Sequence, residues 1–266
     1  MYEVSELLNS LNEVPAMPNV IMQALNVMKN PDSGTRELGK IVSYDQSLST
    51  KVLTLVNSSY YGFPQQITSI SRAITLIGMS KTKNVIVTVA MRPMLVNHGD
   101  KELWKHSIRT AVGCEYMATR YKIMDPDEAF VIGFLHDLGK IVLNLKDAKL
   151  YEEAIKLAQT GVSILEAEKK LFGVDHCVIG SLLAKRWQLP ILIANAIKYH
   201  HEPNSSSMPL ACSLVYAMDK FVRDDFVFEE LNEDIMKNLN MKIYGPDELR
   251  ETILNKADLL LRELST

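Results

Sequence analysis

Along almost the whole chain, apolar residues recur at spacings of three and four, the period of a helix that buries one face. Only 12 Gly and 10 Pro interrupt 266 residues, so long helices joined by short connections are predicted. The first apolar-periodic run spans Val4 to Met28, punctuated by Pro15 and Pro18 and ended by Pro31-Asp-Ser-Gly. A second spans Glu37 to Val56, with Leu38, Ile41, Val42, Leu48, Val52, Leu53 and Val56 on its buried stripe and a short turn near Tyr44-Asp45. After a loop at Gly62-Phe-Pro-Gln-Gln, the period resumes from Ser69 to Gly78. The β-branched run Val85-Ile-Val-Thr-Val favours a strand by propensity alone; set among helical runs, it is assigned to a helix.

The second half carries explicit start and stop signals. Asp125-Pro-Asp-Glu128 combines an N-cap residue, Pro at the first helical position and Glu three residues on, which predicts a helix from Pro126 to about Leu143. Ser163 and Glu166 repeat the capping-box spacing, Gly173 is a C-terminal stop, and Asp175 caps a helix predicted to reach Gln188. Pro190 opens another helix, which ends before Pro203. A polar loop at Asn204-Ser-Ser-Ser207 leads to the apolar run Leu210 to Val222, and a last amphipathic helix follows Gly245-Pro246. The acidic stretch Asp224 to Asp234 reads as a solvated face. The expected fold class is therefore all-α.

Charge and cysteine usage bound the function. With 29 Lys plus Arg against 32 Asp plus Glu, the net charge is −3, which offers no global basic field to nucleic acid. A helix pair within Glu37 to Val56 fits the loose pattern of a helix-turn-helix, but its few Lys and Arg argue against DNA. Cys114, Cys177 and Cys212 are far apart and odd in number, so neither a disulfide framework nor a zinc ribbon is expected. The N-terminus lacks a basic region followed by an apolar run, and no apolar stretch approaches the roughly 20 residues of a bilayer span. A cytoplasmic protein without membrane contact is the expectation.

The chemistry lies where histidines and aspartates fall. His106, His136-Asp137, His176, His200-His201 and Asp219 occupy predicted helical positions, whereas His98, in Asn97-His-Gly-Asp, reads as a loop residue. Neutral imidazole and carboxylate suit Mn, Fe or Zn, and five histidines with two aspartates suffice for two adjacent divalent ions. Such a pair clamps a phosphoryl group and activates water. Lys140, one turn beyond His136-Asp137, is placed to neutralise a phosphate oxygen. His176, at a helix start, feels the positive end of the macrodipole, which disfavours imidazolium. Each residue also has a plainer role: His106 as a satisfied helix histidine, His200-His201 as a helix C-terminus, Asp219 as the partner of a surface lysine, Lys140 as a surface lysine, and His176 as a polar first-turn residue.

The series His, His-Asp, His, His-His, Asp on successive helices resembles the metal-ligand order of the HD superfamily, particularly its HD-GYP phosphodiesterase branch. Val14-Pro-Ala-Met-Pro18, Ile41-Val-Ser-Tyr-Asp45, Leu53-Thr-Leu-Val-Asn-Ser-Ser59-Tyr-Tyr-Gly62 and Ile70-Ser-Arg-Ala-Ile-Thr-Leu-Ile-Gly78 resemble the HDOD family, the HD-related output domain. So do Leu103-Trp-Lys-His-Ser107, Gly133-Phe-Leu-His-Asp-Leu-Gly139, Glu168 through Asp175-His176, Trp187-x-Leu-Pro190 and His200-His-Glu-Pro203. The resemblance covers about residues 8 to 222 and identifies the chain as similar to that family.

The resemblance implies a two-lobed all-α fold: an N-terminal helical bundle over residues 1–96, an HD-like bundle over 97–222 and a C-terminal helical extension over 223–266. It implies a bacterial signalling module with divalent metal in the HD-like lobe, acting through signalling proteins or through a nucleotide or phosphorylated ligand. Carried over position by position, His106, His136, Asp137 and Asp219 would hold one ion and Asp137, His176, His200 and His201 the other, with Asp137 as the bridge. Lys140 would contact phosphate if the protein is a metal-dependent phosphohydrolase or phosphodiesterase. After His200-His-Glu the phosphodiesterase branch carries an Asp-Gly-x-Gly-Tyr-Pro signature. Here the chain reads Pro203-Asn-Ser-Ser-Ser-Met-Pro209, without it.

Overall fold

The computed structural model describes residues 14, 16–27, 35–227, 233–240 and 245–265. Among them all regular structure is helical. The early part of the first periodic run and its Pro31-Asp-Ser-Gly stop lie outside the described residues, as does most of the acidic stretch after residue 227.

Two compact units are present, one built from Met94–Pro246 and the other from Met17–Pro93 with Asp247–Thr266. The last helix thus groups with the N-terminal unit, a long-range pairing that linear order does not reveal. In that unit run α1 (Asn19–Val27), α2 (Thr35–Ser43), α3 (Gln46–Val56) and α4 (Ile70–Ile77). The predicted break at Tyr44-Asp45 is present, and Asp45 caps α3 by accepting from the Leu48 N–H at 2.9 Å. Ser69 caps α4 in the same way.

The run at residues 85–89 is helical, within α5 (Met79–His98). Val85, Ile86, Val87, Thr88 and Val89 are all buried, so packing on every side overrides a local preference for strand. His98 is the last residue of α5, which corrects its assignment to a loop. Its carbonyl accepts from Asn144 Nδ2 at 2.8 Å.

The other unit continues with α6 (Lys101–Tyr121), α7 (Pro126–Leu135), α8 (Leu138–Lys146), α9 (Ala148–Ala158), α10 (Ile164–Phe172), α11 (His176–Arg186), α12 (Ile191–Tyr199), a 3-10 turn at Pro203–Ser205, α13 (Pro209–Phe221) and α14 (Glu233–Asn238). The last helix, α15, is Pro246–Ser265. The capping box at Ser163 and Glu166, the left-handed Gly173 and the Asp175 cap of α11 are all formed. The 3-10 turn occupies part of the expected polar loop. Asp224, on the part of the acidic stretch that is described, is exposed and ion-paired with Lys105 and Arg109.

One predicted helix is two. The run from Pro126 toward Leu143 breaks at His136-Asp137, because the side chains there serve other partners than helix continuation. His136 Nδ1 takes the Gly133 carbonyl at 2.7 Å, and Asp137 makes no cap hydrogen bond, giving its carboxylate to Lys140 Nζ at 2.6 Å instead.

Two close helix approaches put the site together. A Cβ on Gly133 would sit 2.9 Å from the Thr110 carbonyl oxygen, so α7 lies almost backbone to backbone on α6. A Cβ on Gly139 would sit 1.9 Å from the His176 carbonyl oxygen, and one on Gly180 would sit 2.8 Å from Gly139 N. Only glycine permits that crossing of α8 and α11.

Candidate metal centre

All seven sequence-selected residues meet in the unit built on Met94–Pro246. His106 comes from α6, His136 and Asp137 from the break between α7 and α8, and His176 from the first position of α11. His200 and His201 follow α12, and Asp219 lies in the last turns of α13. His136, Asp137, His176, His200 and Asp219 are buried, against the usual behaviour of such groups.

With Cys177 added they form two clusters that could each hold a metal ion: His106, His136, Asp137 and Asp219, and His176, Cys177, His200 and His201. In the first, Asp219 Oδ1 is 2.9 Å from His106 Nε2 and 3.7 Å from His136 Nε2. Asp137 Oδ2 is 3.1 Å from His136 Nε2 and 3.7 Å from His106 Nε2. The second oxygen of Asp137 belongs with the other cluster, 3.4 Å from His176 Nε2 and 3.8 Å from His200 Nε2. Those two ring nitrogens are 3.3 Å apart. Bonds of about 2.0 to 2.2 Å to one ion place neighbouring nitrogen and oxygen ligands about 3 to 3.5 Å from each other, so the spacing suits coordination.

Hydrogen bonding fixes which ring nitrogen faces inward. His136 Nδ1 donates to the Gly133 carbonyl and His200 Nδ1 to the Ile197 carbonyl at 2.9 Å. His176 Nδ1 meets Glu168 Oε2 at 2.7 Å, and the same oxygen accepts the His176 backbone N–H at 2.8 Å. Each ring thereby turns Nε2 toward the cluster, which is how outer partners orient ligating imidazoles. His136 Nε2 and Asp137 Oδ1 are buried without a hydrogen-bond partner. His136 Nε2 lies close to Asp137 but is misdirected for a hydrogen bond. Buried polar atoms are rarely left so, and a cation among these donors would satisfy both.

Charge is concentrated in the clusters, with ionised aspartates set among the histidines. Burial works against ionisation of Asp137, but His136 and Lys140 outweigh it and hold the carboxyl well below its usual range. Asp219 is likewise held low, against burial, by His106 and His136. His136 is raised to about 9 because the two aspartates overcome its burial. Burial and the neighbouring histidines push His200 well below the ordinary range, and burial lowers His201 to about 4.

His176 departs from the expectation set by its helix position. Burial opposes its charge, yet the Glu168 carboxylate and Cys177 raise it well above the ordinary histidine range. A full negative charge at 2.7 Å wins over the partial charge of a helix end.

The sequence pattern assigns no role to Glu168, although it opens one of the segments resembling the family, and none to Cys177. A glutamate eight residues before His176 on the preceding helix has no fixed spacing relation to it, and its complete burial is the signal. Cys177 stands beside His176 in sequence, yet as an isolated cysteine it matched no metal spacing.

A cleft of about 230 Å³ reaches the first cluster and is lined by His106, Asp137, Lys140, Asn144 and Tyr151, among others. Lys140 touches both the cleft and Asp137. Burial works against its charge, but Asp137 raises its pKa. An anion entering the cleft meets an ammonium group beside the metal-type donors.

A family model described as the HDOD domain matches residues 14–203. An uncharacterized protein of Treponema pallidum is 25% identical over 269 residues, covering 93% of this chain and 50% of its own length. A Vibrio cholerae protein named cyclic di-GMP phosphodiesterase CdgJ is 26% identical over 124 residues, covering 46% of this chain and 28% of its own. The chain thus spans half or less of the length of these two curated relatives. The crystal structure of an HDOD domain protein of unknown function from Geobacter sulfurreducens superposes with a TM-score of 0.80 at 23% identity, over 98% of this chain and 99% of that one. This likeness shows the fold. No helix among the described residues is long and apolar enough to cross a membrane.

Proposed function

The chain belongs to the HDOD family, whose model matches most of its length, and from that premise we propose that it is a cytoplasmic bacterial signal-transduction module that holds two divalent ions. It acts through contacts with signalling proteins or through a nucleotide or phosphorylated ligand. The observation that carries this reading is Asp137, whose two oxygens face two different histidine clusters. His106, His136, Asp137 and Asp219 would hold one ion; Asp137, His176, His200 and His201 would hold the other. Nitrogen and carboxylate donors in these numbers suit Fe, Mn or Zn. Bound there, the ions would supply Lewis-acid polarisation of a phosphoryl group and of water.

The chain's own residues set what such a centre can reach. Lys140 Nζ lies 2.6 Å from Asp137 Oδ2, and since both residues line the cleft it would orient an anionic group toward the first cluster. Gly133 and Ile197 carbonyls keep His136 and His200 in the tautomer that presents Nε2. That cleft favours a second reading, a metal-dependent phosphohydrolase or phosphodiesterase acting on a nucleotide or cyclic dinucleotide. The missing Asp-Gly-x-Gly-Tyr-Pro signature weighs against it.

The test is metal content by mass spectrometry on protein purified without chelator or nickel resin, with an assay of the same sample against cyclic dinucleotides and a generic phosphodiester. About two ions per chain without turnover is the result expected. Turnover with metal would favour the hydrolase, and absence of metal would overturn both readings.

A further inference from the structure

The second cluster contains a donor that the histidine and aspartate series lacks. Cys177 is buried, and its Sγ lies 3.9 Å from Nδ1 and 4.0 Å from Nε2 of His200. It belongs to the same group of candidate ligand atoms as His176, His200 and His201. A sulfur about 2.3 Å and an imidazole nitrogen about 2.0 Å from one ion sit roughly 3.5 Å apart at a tetrahedral angle; Sγ, about equally far from both ring nitrogens of His200, joins the set by a side-chain rotation toward the Nε2 side. An independent atom points into the same space: Asp137 Oδ1, buried and without a hydrogen-bond partner, lies 3.4 Å from His176 Nε2.

We infer that Cys177 is a thiolate ligand of the histidine cluster, making the two halves of the centre chemically unequal. One half offers only nitrogen and oxygen; the other adds sulfur. Sulfur selects a borderline-soft ion such as Zn²⁺, Co²⁺ or Fe²⁺ over Mn²⁺ or Mg²⁺, so the half built around Cys177 takes the more thiophilic ion. On binding, the Cys177 thiol proton passes to buffer and the sulfur lone pair forms the bond to the ion, with no change of oxidation state. This assignment rests on the metal-binding reading above and goes beyond it by naming a ligand and an ion class.

The test is an anaerobic Co²⁺ titration of chelator-stripped protein, followed by absorption spectroscopy. Bound cobalt gives visible d–d bands whatever its ligands, whereas a near-ultraviolet sulfur-to-cobalt charge-transfer band requires thiolate. The wild type is expected to show both, and Cys177→Ser to lose the charge-transfer band while keeping d–d absorption. The Cys114→Ser, Cys212→Ser double variant leaves Cys177 as the single thiol and is expected to keep the band, which tests the assignment even if Cys177→Ser does not fold. Visible bands without charge transfer, or a charge-transfer band that survives in Cys177→Ser, would overturn the Cys177 assignment alone. Absence of any cobalt band would overturn the metal reading and this inference with it.

Discussion

Glu168 Oε2 accepts from both the backbone N–H and the Nδ1 of His176, at 2.8 and 2.7 Å, so one buried carboxylate fixes the start of α11 and the orientation of a candidate ligand together. Loss of such an outer partner commonly costs about 10- to 100-fold in metal affinity. Glu168→Gln keeps the volume and removes the charge. Its Zn²⁺ affinity, measured by competition with a chromophoric chelator, is expected to fall by that factor. The metal-free His176 pKa, followed by NMR, should fall as well. Unchanged values in both would remove Glu168 from this positioning role.

Asp137 is the residue on which both clusters depend. Its Oδ2 is 3.1 Å from His136 Nε2 and its Oδ1 is 3.4 Å from His176 Nε2. Asp137→Ala is expected to lose both ions, whereas His98→Ala should keep the wild-type content, because His98 belongs to neither cluster and its hydrogen bond to Asn144 is made by the backbone carbonyl. Metal content by mass spectrometry on the folded variants decides. Equal retention in the two proteins would sink the bridging assignment.

Lys140 pairs with Asp137 at 2.6 Å, alongside His136 at 3.1 Å. Removing one partner of a buried pair costs up to about 3 to 5 kcal/mol, and less here because Lys140 keeps partial exposure. Lys140→Met should therefore lower the melting temperature of metal-free protein clearly and that of metal-loaded protein much less, since bound ions neutralise Asp137 in its place. Metal content should stay as in wild type, and any phosphodiesterase activity should disappear. Equal destabilisation of both forms would show that Lys140 and the metal do not share Asp137.

The crossing of α8 and α11 is the mechanical basis of the second cluster. A Cβ on Gly139 would meet the His176 carbonyl oxygen at 1.9 Å, a collision with backbone that no rotamer relieves. Overpacking of this kind costs about 1 to 3 kcal/mol, at times more. Gly139→Ala is expected to lower the urea midpoint and to weaken metal binding together, because α11 must move and carries His176 with it. A stable variant with wild-type metal affinity would show that the approach is looser than this geometry.

These examples mark what residue order can and cannot reveal. The candidate ligands are legible because the order His, His-Asp, His, His-His, Asp resembles that of the HD superfamily, and caps at Asp125, Ser163 and Asp175 follow from local chemistry alone. The break at His136-Asp137 was not legible, since Ala129 to Leu143 continues the helical pattern and only tertiary partners of the two side chains interrupt it. The role of Glu168 is not legible for the same reason, since packing rather than spacing brings it to His176, and Cys177, though next to His176, is a single cysteine without a metal-site spacing. The grouping of α15 with the N-terminal helices likewise depends on contacts far apart in the chain.

The two protonation states of His136 lead to opposite pH trends for stability and for metal binding. In metal-free protein His136 is raised to about 9 by Asp137 and Asp219, above the value of about 6.5 for an unfolded chain. The native state therefore binds more protons than the unfolded state between those values. Its contribution to stability is complete below the unfolded value and is lost as pH rises through about 9, with a slope of at most about 1.4 kcal/mol per pH unit. Metal affinity moves the other way, because the ion takes the Nε2 position that the proton holds. Urea midpoints of metal-free protein should thus fall between about pH 6.5 and about pH 9, while Zn²⁺ affinity rises over the same range. Saturating metal should flatten the stability slope, and His136→Gln should reduce it without metal, leaving the part that comes from His176, which is also raised. A slope that is the same in wild type and His136→Gln would assign the pH dependence to other groups.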